Sequence, residues 1–247
     1  MLRINRLRIE INTVNGIYGI DEYFKDGLNF VSSIDNTCGK SSILAAIYYC
    51  LGFEQILGGV SGIGSKVLTS AFKNTIEDNG KSWSVTESGA YLEISNGLEV
   101  ITVYRTIKTE NKDNRLITVF YGEYNSLGNP EIQSEDFYVN IQNAATSSRG
   151  FHSFLENFLH LELPLVRTSD GIERKLYLQL IFSAMFIEQK HGWSDILSGM
   201  PIFGIRESKK RVLEYIIGLD TLKNEKEHER LNGIKTEIEN EWKKLIQ

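Results

Sequence analysis

Residues 27–52, GLNFVSSIDNTCGKSSILAAIYYCLG, decide how the rest of the chain is read. Leu28 to Ser32 is a short apolar run that suits a strand, and Lys25-Asp26-Gly27 marks a tight turn before it. Ser32 to Ser42 is polar and small. Ser42 to Phe53 is then apolar on most sides, as a buried helix would be. The expected order is strand, polar loop, helix. Within the loop, Gly39-Lys40-Ser41 carries the chemistry. In a phosphate-binding loop, backbone N–H groups wrap the phosphates of ATP. The lysine reaches the β and γ oxygens, and the serine hydroxyl takes a Mg²⁺ position. The helix that follows points its N-terminal dipole at the same anion. A bare GKS string is common by chance, so its place between strand and helix is what gives it weight. The full pattern, GxxxxGKS/T, asks for glycine at position 34, where this chain has Ile34. A β-branched residue does not adopt positive φ cheaply. Either the loop turns differently there or the match is looser. The plain alternative is a polar β–α loop that holds no ligand.

Upstream, Leu2, Ile4, Leu7, Ile9 and Ile11 alternate as in a strand, with one slip in register. Asn12, Asn15, Gly16 and Gly19 then read as a turn-rich stretch. Downstream, the period becomes two from Trp83 to Tyr121. AYLEI, Asn96-Gly97 and LEVITVYRTI form a β-hairpin with a two-residue turn signal, and the charged loop TENKDNR leads to a strand over Leu116–Tyr121. This predicts an antiparallel meander. Gly122 to Gly150 is polar and reads as a long loop or insertion. Helical spacing returns over Phe151–Leu161, Glu173–Phe186 and Glu207–Gly218. Beyond Asp220 the composition turns sharply to charge. Leu231, Ile234, Ile238 and Leu245 fall near a/d spacing, with Glu241 at one d position. A solvated helix would satisfy this pattern, but the first turns of a coiled coil fit it better.

With 41% hydrophobic residues, 12 Phe and 11 Tyr, the chain can build a core. Its longest apolar run, Ile43 to Phe53, has 11 residues, against about 20 needed to cross a bilayer. The first residues, MLRINRLRIEI, have no continuous apolar region, so neither a membrane span nor a signal peptide is expected. A net charge of -5 argues against nucleic-acid binding driven by overall charge, while leaving room for a local basic groove. The two cysteines, Cys38 and Cys50, and the scattered histidines suggest neither a disulfide framework nor a structural zinc, and fit a reducing, cytoplasmic setting.

The segment 27–52 resembles the N-terminal head segment of SMC-type ABC ATPases, the group that includes SMC, RecN, RecF and SbcC-like repair proteins. FIEQKHGWSDIL, Phe186 to Leu197, is similar to that family's Q-loop region. SKKRVLEYIIGLDTLKNEKEHERLNGIKTEIENEW resembles the helix that leaves the head to become the coiled coil. The resemblance spans nearly the whole chain. It implies an α/β P-loop NTPase lobe with an antiparallel β-subdomain, a head over residues 1–219 and a coiled-coil arm from 220 to 247. Lys40 and Ser41 would be the phosphate-binding lysine and the Mg²⁺ hydroxyl. Asp35, Asn36, Thr37, Cys38, Gly39 and Ser42 would complete the cradle. Gln189 would touch Mg²⁺ or the attacking water, in preference to Gln179 in the middle of its helix.

Some parts of a complete ATPase are missing from the sequence. Ile181 to Ile187 ends in Glu188 with no Asp before it, a poor match to the strand that ends in the magnesium-binding Asp. Leu197-Ser198-Gly199-Met200 only echoes the family's signature string. In the family these parts lie in a C-terminal lobe beyond the coiled coil. The resemblance therefore implies half a head, completed by a C-terminal lobe and a second head. It also implies DNA as a partner and possible nuclease or effector subunits. The EQK–GWSD stretch followed by the FGI–KKR stretch looks similar to SMC-like ATPases of bacterial anti-phage systems, while repair and chromosome maintenance stay open. Two other classes remain: a nucleotide-binding sensor with little or no hydrolysis, and a stand-alone P-loop enzyme of the kinase type. Arg3, Arg6 and Arg8 make a small basic strand that could touch DNA or simply face solvent. Tyr48, Tyr49, Trp83 and Trp193 are better suited to core or interface than to base stacking.

Overall fold

The computed structural model describes residues 2–33, 39–57, 68, 70–141, 147–185, 197, 200–219, 227, 231–239, 241 and 242. The chain forms two compact units, Met1–Glu162 and Leu163–Gln247.

The first unit is built on a sheet whose order is β2-β1-β4-β5-β6-β7, with β3 added on β4. Its strands are β1 (Arg3–Thr13), β2 (Gly16–Tyr23), β3 (Thr75–Asp78), β4 (Lys81–Ser95), β5 (Val100–Lys108), β6 (Leu116–Phe120) and β7 (Ser134–Tyr138). Every pairing between these strands is antiparallel. The meander expected from Trp83 onward is present. One row of partners runs Leu7, Leu92, Val103, Val119 across four strands, and the next runs Ile9, Ala90, Arg105, Ile117, Phe137 across five. All of these side chains are buried. They form one inner face, with polar residues alternating on the other, as a half-buried antiparallel sheet requires.

Several expectations need correction. The turn-rich stretch holds a turn only at Val14-Asn15, while Gly16 and Gly19 lie in strand β2. At Gly19 the backbone passes so close to Ile9 that a Cβ would collide with its carbonyl oxygen. That glycine marks close approach inside a strand, not a turn. The hairpin between β4 and β5 closes over four residues, with Ser95 opposite Val100. Asn96 Oδ1 accepts the N–H groups of Leu98 and Glu99, each at 2.8 Å, so the asparagine side chain builds the turn. A two-residue Asn-Gly turn occurs instead at Asn79-Gly80, with φ of 51° and 74°, where it joins β3 to β4. The polar segment after Gly122 contains β7, an edge strand with only Phe137 of its five residues buried. Leu28 to Ser32 is not a strand. It has no ladder partner among the described residues, and Leu28 and Phe30 are 79% and 84% exposed. Extended backbone becomes a strand only when a neighbour accepts its hydrogen bonds.

Helix α1 (Lys40–Cys50) packs on the inner face through Ile43, Ala46, Ile47, Tyr49 and Cys50. Burial pushes the Cys50 thiol up to about 12, so it is an inert core group. A buried charge network holds the C-terminal end of α1. Arg105 on β5 donates from Nη2 to Glu54 Oε1 at 2.9 Å and from Nη1 to Glu54 Oε2 at 3.1 Å. Its Nη1 also donates to the Tyr49 carbonyl at 2.6 Å, and its Nε to the Asn114 carbonyl at 2.8 Å. The guanidinium lies 4.0 Å from the centre of the Tyr49 ring. Tyr49 Oη donates to the Thr106 carbonyl at 2.5 Å, and Asn140 Nδ2 donates to Glu54 Oε1 at 3.0 Å. Both charges are therefore satisfied where water cannot reach them.

Helix α2 (Phe151–Phe158) carries Phe154 and Phe158, and the Phe154 ring stacks on Phe158 and on Phe137 of β7. His152 is buried, stacked on Phe53 at 5.3 Å, with Nε2 3.2 Å from the Leu51 carbonyl. A carbonyl only accepts, so Nε2 carries the proton in that bond. Burial lowers the pKa of His152 to about 4.

In the second unit, β8 (Leu165–Arg167) pairs with β9 (Glu173–Lys175), followed by α3 (Leu178–Ser183) and α4 (Ser208–Ile216). The helix expected over Glu173–Phe186 is thus a strand and then a shorter helix. Thr168 is the cause: its N–H and its hydroxyl both donate to the Ile172 carbonyl, at 2.9 and 2.6 Å, closing a hairpin that uses the first turn of the expected helix. Val166, Leu176, Leu180, Ile181, Ile205 and Val212 form the core of this unit. Residues 231–239 are helical and exposed. No helix among the described residues is long and apolar enough to cross a membrane.

Two outcomes follow from this packing. Arg105→Met or Glu54→Gln alone leaves one buried charge uncompensated and should cost about 3–5 kcal/mol in urea unfolding. The double variant Glu54→Leu/Arg105→Met should recover most of that loss. For His152, the folded pKa lies below the unfolded value of 6.5. Its stabilising contribution is therefore complete above pH 6.5 and is lost as the pH falls toward about 4. The loss should reach roughly 3 kcal/mol. His152→Gln should flatten the stability profile between those pH values.

Candidate functional site

The site lies where α1 begins. Gly39 precedes the helix with φ 79° and ψ 10°, in the left-handed region that glycine enters without a steric penalty. Its carbonyl accepts the N–H of Ser42 at 2.9 Å and that of Ile43 at 3.3 Å, which starts the helix abruptly at Lys40. Among the described residues, no side chain caps this end. The first N–H groups of a helix have no partner within it, and here they carry the positive end of an 11-residue dipole.

Lys40 is half-buried, and its Nζ donates to Ser33 Oγ at 2.6 Å. The side chain thus links the start of α1 to Ser33. That places one ammonium, one serine hydroxyl and the helix N-terminus at a single loop mouth. Ser41 is exposed at the first turn, whereas Ser42 is buried against the core. A glycine with positive φ, a lysine folded over the loop and an outward serine hydroxyl make a donor set that suits a polyphosphate with its magnesium ion.

Of the residues expected at the site, Gly39, Lys40, Ser41 and Ser42 come together here. Asp35, Asn36, Thr37, Cys38 and Gln189 lie outside the described residues, as do Ile34 and Trp193. Gln179, the competitor of Gln189, is buried in α3. Near the LSG-like string, the Met200 N–H donates to the Leu197 carbonyl at 3.2 Å, and Met200 packs against the core of the second unit.

The basic strand is mostly committed within the protein. Arg6 is buried and forms a fork with Asp21, both bonds at 2.7 Å, between the rings of Tyr23 and Tyr124. Its hydrogen bonds to Asp21 raise the Arg6 pKa against the cost of burial and hold the Asp21 carboxyl below its usual range. Arg8 bridges Glu10 and Asp21, each at 2.8 Å, and Arg3 pairs with Asp26. These guanidiniums tie β1 to β2 and are not poised for a phosphate backbone.

Two features escaped the sequence reading. Ser33, the partner of Lys40, gave no signal beyond being one more small polar residue in the loop. Arg105 did give one. It occupies an inward position of an alternating strand, between Val103 and Ile107, where an arginine requires a buried carboxylate partner.

No protein-family profile matches the chain. Across 230 residues, 90% of this chain, it is 22% identical to the Lamassu protein LmuB of Bacillus cereus (strain VD014). The match covers 32% of that protein, so the chain spans about a third of its length. The chain is a distant relative of this Lamassu protein.

Proposed function

We propose that the chain is the ATP-binding N-terminal lobe of an SMC-like ATPase that acts on DNA in defence against phage. The observation that carries this reading is the start of α1, with Gly39 at φ 79° and Lys40 folded back to Ser33 at 2.6 Å. The likeness to the Lamassu protein favours defence over repair or chromosome maintenance.

In this reading Lys40 exchanges the Ser33 hydroxyl for β- and γ-phosphate oxygens. The first N–H groups of α1 would hold the same phosphates, and Ser41 Oγ would help hold the magnesium ion. Magnesium, when bound, neutralises charge that builds up on the phosphates. Gln189 would touch the ion or the attacking water. A C-terminal lobe of the same polypeptide supplies the Asp and the catalytic Glu, and a second head clamps the γ-phosphate. Engagement of the two heads then depends on bound ATP, and hydrolysis releases them. A coiled coil beginning near Thr221 carries that motion to DNA or an effector. The exposed apolar residues Leu28 and Phe30 support a missing neighbour, since they alternate as one face of a strand would and face water here. Ile34 favours a second reading, a nucleotide sensor that turns over slowly or not at all, because it replaces the glycine of the loop pattern.

Calorimetry with MgATP tests the proposal. The wild type should bind, and Lys40→Ala should weaken binding at least about tenfold through loss of a charge-assisted contact. Gln189→Ala should keep most of the affinity. Binding indifferent to Lys40→Ala, or rapid hydrolysis by this chain alone, would overturn the half-head reading. Turnover by the polypeptide with its C-terminal lobe separates the ATPase from the sensor.

A further inference from the structure

The loop between β5 and β6 frames a cavity of about 500 Å³ lined by Lys73, Lys108 and Lys112, together with Asn74, Asn114 and Asp113. Asp113 is the one carboxylate in that lining, and Arg115 occupies it. Arg115 Nη2 donates to Oδ2 at 2.7 Å, and its backbone N–H donates to Oδ1 at 2.9 Å. The arginine holds the Asp113 carboxyl below its usual range. The three ammonium groups therefore set the sign of the cavity, in a chain whose net charge is -5. Lys108 is fixed by donating to the Val85 carbonyl at 2.6 Å, which uses one of its three N–H donors. Lys73 is half-buried, and burial lowers its pKa.

Against this cavity lies a smaller one, of about 90 Å³, that shares Lys108 and Lys112 and adds Tyr104, Glu10 and Glu87. The Tyr104 ring is fixed on Tyr91 with centroids 4.5 Å apart, and Lys112 Nζ is 5.7 Å from its centre. A cationic pocket beside an anchored aromatic ring matches the two halves of a nucleotide, a phosphate and a base. The neighbouring carboxylates can accept hydrogen bonds from base N–H groups, including the N3–H of thymine.

We propose that Lys73, Lys108, Lys112 and Tyr104 form a second anion site, separate from the phosphate loop. It takes the phosphate and base of a nucleotide unit, supplied either as a free nucleotide or within a nucleic-acid strand. The proposal does not depend on ATP binding at Lys40.

The test is fluorescence anisotropy with a labelled short oligothymidylate, with tripolyphosphate as competitor, at about 50 and 200 mM salt. Lys73→Gln/Lys112→Glu should weaken oligonucleotide binding at least about tenfold and make the salt dependence shallower by about one to two in log–log slope. Lys112→Glu alone, in an exposed loop, should weaken it with no change in melting temperature. Lys40→Ala should leave this binding intact while removing MgATP binding. Competition by tripolyphosphate identifies free polyphosphate as a sufficient ligand. Its failure to compete identifies a strand. The proposal is overturned if neither probe binds, if both bind the double variant as well as the wild type, or if Lys40→Ala abolishes oligonucleotide binding.

Discussion

The contact between Arg105 and Glu54 fixes where α1 can lie. Arg105 projects from the middle of the sheet, and its guanidinium reaches the last turn of the helix, the short turn after it and the loop before β6 in one set of bonds. A buried pair of this kind gains little stability over well-packed apolar side chains, because desolvation offsets the attraction. What it adds is geometry. An apolar contact at this place would tolerate the helix sliding by a fraction of a turn, whereas a fork on a carboxylate and a carbonyl does not. Tyr49 reinforces the lock, with its ring against the guanidinium and its hydroxyl on the Thr106 carbonyl.

That constraint acts at one end of an 11-residue helix, and the candidate site lies at the other. A helix transmits position along its axis because each residue adds a fixed rise of about 1.5 Å. With the C-terminal end anchored to β5 and the middle packed through Ala46 and Ile47, Gly39 and Lys40 are held relative to the sheet. The side chain of Lys40 then closes on Ser33. The sheet is thus the frame against which the start of α1 is held.

How much of this was legible depends on the kind of signal. The inner face of β1, β4 and β5 showed in plain alternation, because one side is core and the other is polar. Helix α1 showed as an apolar run after a small, polar loop. Strand β2 was hidden by Gly16 and Gly19, which read as turns unless a neighbouring backbone is known to pass close by. Strand β7 was hidden because an edge strand needs only one buried side chain, Phe137, to hold its register. The hairpin of β3 and β4 was readable from Asn79-Gly80, while the similar pair at Asn96-Gly97 belongs to a wider turn that the Asn96 side chain organises. Of the site, Gly39, Lys40 and Ser41 were legible, because the chemistry needs those residue types in that order. Ser33 was not, since only the folded loop brings a hydroxyl to the lysine from seven residues away.

Charge shows the same separation between composition and place. A chain at -5 has no overall attraction for a polyanion, and the arginines on β1 look like the natural exception. The fold uses Arg6 and Arg8 otherwise, binding them to Asp21 and Glu10 and covering them with Tyr124. Lysines instead gather where no motif announced them, with Lys73, Lys108 and Lys112 coming from two distant stretches of sequence. Asp113 does not cancel their charge, because Arg115 binds that carboxylate. At physiological salt, charges screen one another beyond about 8 Å. An approaching phosphate therefore responds to these nearby ammonium groups far more than to the sum over the molecule, and an acidic protein can still present a local site for an anion.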